Sequence, residues 1–263
     1  MQFMISLLIA SEATNSSWSW GIAIPAFLGA SLSFISFAFW DKILRARERR
    51  VKAVRAVVEI QHLANEIICI SDSNAIMLRE GAKRSEAAIG NLQKGNLSFT
   101  ILGLRMLPSI PQGAIADLLS VPLLNLAFKV KMDSGTINTD SKKFDLLYER
   151  SVLSADGKDL SPTDFKVLVQ HYAQAIERMR EHETAYIGMA ELAINLFATA
   201  EVVYNISIRK DPFVRDLMVP DLKGWEDEIE NAKAKLKASI LETRKSPTVL
   251  ALGEEADPEF WRS

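Results

Sequence analysis

From Gly21 to Trp40 the chain reads GIAIPAFLGASLSFISFAFW, a run of twenty residues without an ionisable side chain. Wound as an α-helix, such a run is about 30 Å long, which matches the hydrocarbon layer of a bilayer. Trp18 and Trp20 stand at one end and Trp40 at the other, where indoles favour the headgroup layer. Pro25 falls near the outer end, where a freed carbonyl can still find a partner. Directly after the run, residues 41–55 carry Lys42, Arg45, Arg47, Arg49, Arg50, Lys52 and Arg55 against only Asp41 and Glu48. A cationic flank stays on the cytoplasmic side of a span. The expected topology is therefore single-pass, with the N-terminus outside and the remainder cytoplasmic. A soluble core helix accounts for the apolar run but not for its cationic flank.

The residues before the span are apolar from Phe3 to Ala10, too short to cross a bilayer, and no Lys or Arg precedes them. A cleaved leader needs a basic start, so residues 1–17 read as a short extracytoplasmic stub. Asn15-Ser16-Ser17 fits a glycosylation sequon, which matters only in a eukaryotic secretory pathway. Cysteine usage and the lack of organelle signals point to a bacterial inner membrane.

Composition closes several other classes. The 263 residues carry a net charge of −2, so no overall basic character suits nucleic acid, and 48% hydrophobic content excludes a disordered chain. The single cysteine, Cys69, excludes an internal disulfide and any Cys-rich zinc module. It falls on an apolar stripe and is expected to be a buried, inert thiol.

Beyond the span the pattern is helical throughout, with no sustained period-2 alternation. Val51, Val54, Val58, Ile60, Leu63, Ala64, Ile67 and Ile70 continue the anchor as a stalk. Ser71-Asp72-Ser73-Asn74 is expected to end it and to cap a second helix reaching about Gly95. Asn96 is expected to cap a short helix through Leu107, broken by Pro108 to Gly113. An apolar helix follows to about Met132, kinked near Pro122 and closed by Asp133-Ser134-Gly135; another opens at Asp140 or Ser141.

Ser161-Pro162-Thr163-Asp164 is a strong helix start. Every seventh residue of the helix it opens reads Phe165, Tyr172, Met179, Tyr186, Ala193, Ala200. A second row reads Leu168, Ala175, His182, Met189, Leu196, Val203, and a third Val169, Ile176, Glu183, Ala190, Phe197, Tyr204. Two apolar rows make a coiled-coil seam; three require neighbours on more than one side. A last helix, capped by Asp221, carries Leu222, Trp225, Ile229, Ala232, Leu236 and Ile240 on one face. Its acids precede its lysines, which suits the helix dipole and allows Glu230 to pair with Lys233. Residues 246–263 lose periodicity and read as a mobile tail.

The search for chemistry finds little. No phosphate loop, dinucleotide fingerprint or nucleophile elbow occurs. Glu59-x-x-His62, with Glu66 a turn later, has di-iron spacing but lacks the partner motif such sites need. His182-Glu183 lacks the second histidine of a zincin. His182 itself lies in the heptad seam, as a core histidine or as a pH-sensitive group. Residues 110–128 and 185–208 are also poor in charge. In the latter, Glu191, Asn195, Glu201 and Asn205 form a polar strip, either the wet edge of a bundle helix or the lining of an oligomeric path.

These readings define an all-α protein: stub 1–17, transmembrane anchor 18–40, cytoplasmic bundle of very long helices 41–245 and tail 246–263. The expected function is a membrane-tethered interaction module binding itself or another helical protein. An oligomeric membrane effector and a helical-bundle metalloenzyme are the alternatives. No catalytic, cofactor or metal residue is assigned, and neither nucleic acid nor a small-molecule substrate is expected. The residues to watch are Trp18, Trp20, Trp40, Lys42, Arg45, Arg47, Arg49 and Arg50 at the membrane, and Tyr172, Met179, His182 and Tyr186 in the bundle.

Overall fold

The computed structural model describes residues 20–92, 103–153, 162–209 and 224–244. Every element among them is helical: α1 (Trp20–Leu92), α2 (Gln112–Ala116), α3 (Val121–Leu153), α4 (Pro162–Arg209) and α5 (Glu226–Arg244). The chain divides into two compact units, residues 1–50 and 51–263.

Within the first unit the helical stretch from Phe27 to Trp40 is solvent-facing almost throughout, Ser31 alone being half-covered. Phe27 and Phe34 are each 74% exposed and Trp40 61%. Arg45 pairs with Asp41 one turn back, at 2.8 Å.

The second unit is built around α4. The pairs Arg79 with Glu183 and Glu86 with Arg180 show that α1 runs antiparallel to it. Ser141 with Tyr186 gives the same sense for α3, and Lys237 with Glu191 for α5. All three heptad rows are accordingly used. Tyr172, Met179, Tyr186, Ala193 and Ala200 are buried, as are Leu168, Met189, Leu196 and Val203. In the third row Ile176 and Ala190 are buried, while Phe197 and Tyr204 are half-covered and pack against the core. Glu183, the charged exception, accepts a hydrogen bond from Arg79 at 2.7 Å, so a carboxylate in the seam has its cation.

Two expected breaks are absent. Helix α1 passes through Ser71 and Asn74 because its packing phase does not change there. Ile60, Ala64, Ile67, Ser71, Asn74 and Leu78 follow one another at alternating spacings of four and three, and all are buried. Helix α3 likewise passes through Asp133-Ser134-Gly135 and Asp140-Ser141. The hydroxyls of Ser134, Thr136 and Thr139 donate to carbonyls three or four residues earlier, so they satisfy themselves on the helix instead of ending it. Pro122 does not kink a helix; it stands in the first turn of α3, where its missing N–H costs nothing. No helix ends at Leu107, because residues 103–111 have no regular secondary structure.

The starts of α4 at Pro162 and of α5 beside Trp225 agree with expectation, as does the Glu230–Lys233 pair at 2.6 Å. Gly224 precedes α5 with φ of +90°, a conformation glycine adopts without penalty, and its N–H donates to Glu226 Oε2 at 2.8 Å. The expected cap at Asp221, its neighbour Leu222 and the tail 246–263 lie outside the described residues.

Tyr186 is fully buried and its hydroxyl lies 2.9 Å from Ser141 Oγ, joining α3 to α4 inside the core. Tyr186→Phe and Ser141→Ala are each expected to cost about 1–2 kcal/mol of stability, with the double variant costing little more than either alone. Denaturant titration of the four proteins measures that coupling.

Candidate functional site

Two surfaces stand out, and neither resembles a catalytic centre. The first is the outer surface of α1 in the first unit. Phe27, Leu28, Leu32, Phe34, Ile35, Phe37, Phe39, Trp40, Ile43 and Leu44 are all exposed large hydrophobics. Singly exposed apolar residues are ordinary, but an unbroken run of them needs a nonaqueous environment. Lys42, Arg45, Arg47 and Arg49 follow as exposed side chains, with Arg50 half-covered. The helix from Phe27 onward is long and apolar enough to cross a membrane, and none of its apolar window is buried. Trp20 is the first residue of α1; Trp18 lies outside the described residues.

Lys166–Asn205 of α4 also has the length and composition of a span, but 61% of its apolar window is buried inside the protein. Here the polar strip is divided between two hollows. Glu191 and Asn195 border one between α3 and α4, and Glu201 and Asn205 border another where α1, α4 and α5 meet. Glu191 accepts from Lys237 Nζ of α5 at 2.9 Å.

The bundle residues singled out from the sequence come together, but inside the core: Tyr172, Met179 and Tyr186 are no more than 5% exposed. Their apolar surface is used on the chain's own helices. His182 is half-covered, and its Nδ1–H donates to the Arg178 carbonyl at 3.0 Å. Glu59, His62 and Glu66 are exposed along α1. Among the described residues no group of three or more His, Cys, Asp or Glu could hold a metal ion. Cys69 departs from expectation: its thiol is exposed, because α1 buries Ile67 and Ile68 and turns the next position outward.

Sequence reasoning missed the two asparagines that hold residues 103–111. Asn74 of α1 accepts from the Arg105 N–H at 2.9 Å and donates to the Arg105 carbonyl at 2.7 Å. Asn138 of α3 does the same for Leu107, at 2.8 and 2.9 Å. Each side-chain amide thus replaces the partner strand that an irregular buried segment lacks. Between and beyond them, Leu107 and Ile110 enter the core. The available signal was asparagine in phase with an apolar seam, which is costly unless it has a bonding task.

No family model matches the chain, and neither a curated protein nor a solved structure matches it.

Proposed function

We propose that the chain is a single-span membrane protein whose helical unit works on the cytoplasmic face by binding another helical protein or a second copy of itself. The observation that carries this reading is the fully exposed apolar run of α1, followed without interruption by arginines and lysines. The dry interior of the second unit supports a binding role over catalysis: its long helices spend their apolar rows on each other. The buried setting of α4 and the Lys237 partner of Glu191 favour this over α4 as the lining of an oligomeric path. The bacterial inner membrane is the host that the topology suits best.

The exposed thiol of Cys69, the only cysteine in the chain, provides the test. In cells producing the protein, a membrane-impermeant maleimide should leave Cys69 unlabelled until the membrane is permeabilised, while a permeant one labels it at once. Labelling of intact cells by the impermeant reagent would reverse the topology. Recovery of the protein in the soluble fraction after carbonate washing would remove the span.

A further inference from the structure

The hollow between α3 and α4 has a volume of about 400 Å³. Its floor is apolar, with Ile137 from α3 and Leu192 from α4, and Gly188 opens it further. A Cβ built on Gly188 meets nothing within 4 Å. Lys129 stands at one end and Asn195 beside it. The antiparallel senses already given fix what lies at the other end. Since Lys237 meets Glu191, the last turn of α5 comes level with residues 184–185 of α4, and Arg244 therefore delivers the chain to the end of the hollow away from Lys129. The next residues read KSPTVLALGEEADPEF. They offer Val249, Leu250 and Leu252, and then Glu254 and Glu255.

We propose that this C-terminal segment occupies the hollow in the same molecule, Val249 to Leu252 over Gly188 and Leu192, and Glu254 and Glu255 against Lys129. Three observations carry it. Reach is sufficient: from Ala185 to Asn195 the helix rises about 15 Å, and nine extended residues span about 30 Å. The order of chemistry along the segment, apolar and then acidic, matches the order along the hollow. The protein already holds one non-helical segment against its helices by asparagine amides, at Asn74 and Asn138, and Asn195 offers a third in the hollow. The occupied hollow is then a surface that a partner gains only by displacing the tail. This inference does not depend on the membrane reading.

Carbodiimide coupling of the full-length protein in detergent micelles tests it, since the reagent joins only amines and carboxylates in contact. Lys237 with Glu191, an ion pair in the structure, is the internal control. The expected result is a Lys129 link to Glu254 or Glu255 in comparable yield. Gly188→Leu, which fills the open space, and Leu250→Asp with Leu252→Asp, which cannot disturb the helices, should each lower that yield by more than about tenfold, since each removes the burial of apolar side chains. A Lys237–Glu191 link without any link from Lys129 overturns the proposal. So does a Lys129 link that both variants leave unchanged. Links between isotopically heavy and light chains in a mixed sample would overturn the intramolecular placement and make a second copy the occupant.

Discussion

Replacing Asn138 by alanine is expected to lower the free energy of unfolding by about 2–4 kcal/mol, because it strands a buried N–H and a buried C=O together. Leu107, whose peptide groups Asn138 satisfies, is only 3% exposed, so water cannot readily replace the lost amide. Asn74→Ala should cost somewhat less: Asn74 itself is fully buried, but Arg105 is exposed and its backbone lies nearer solvent. Asn138→Asp separates the two bonds. A carboxylate can still accept from the Leu107 N–H, yet it faces the Leu107 carbonyl with no proton to give. It should therefore be nearly as damaging as alanine, although it has almost the same shape. If volume were what mattered, aspartate would be tolerated and alanine would not. Chemical denaturation of the full-length protein, followed by far-ultraviolet circular dichroism, distinguishes the two outcomes.

That pair of asparagines also marks where the sequence stopped being legible. The heptad rows of α4 could be read because their signal is redundant: six turns of apolar side chains agree on one phase, and the structure buries them accordingly. The same phase runs through α1, but at Ser71 and Asn74 it is carried by polar residues. Ser-Asp-Ser-Asn is good capping chemistry, and local propensity then outweighed a weaker periodic signal. What decides the matter is tertiary: Asn74 is committed to the backbone of Arg105, thirty-one residues away, and no local pattern announces such a partner. Ser134 and Gly135 misled for a related reason, since a hydroxyl that bonds back to its own helix leaves no trace in composition. Cys69 was misplaced by a smaller error, because an apolar run of Ile67, Ile68, Cys69 and Ile70 does not say which member faces outward. On the surface the position differs. The apolar run of α1 and its basic flank were read directly, because length and charge are one-dimensional properties. The hollows and the division of the polar strip between them depend on which helices neighbour α4, and that is not in any one segment.

The largest expected effect belongs to the apolar run. Leu32 and Phe34 lie near its middle and are 63% and 74% exposed, touching little of the protein. Substituting both by lysine should therefore leave the second unit folded. It should also raise the cost of insertion by about 6 kcal/mol, two central lysines at roughly 2.5–3.5 kcal/mol each. A shift of that size moves an inserted population almost wholly out of the bilayer, so the double variant should appear in the soluble or aggregated fraction with its helical content retained. Placing the same two lysines at Leu44 and Val51 is the matched control. Both positions are exposed apolar sites on α1, but they lie within the basic segment, where added positive charge agrees with the proposed topology. Membrane retention of the control with release of the Leu32/Phe34 variant requires a hydrocarbon environment around residues 27–40 specifically. Equal release of both would mean that general hydrophobicity, and not a span at that position, holds the protein at the membrane. Equal retention of both would mean that the apolar face of α1 is covered by protein, and the helix would then be the docking surface for a partner.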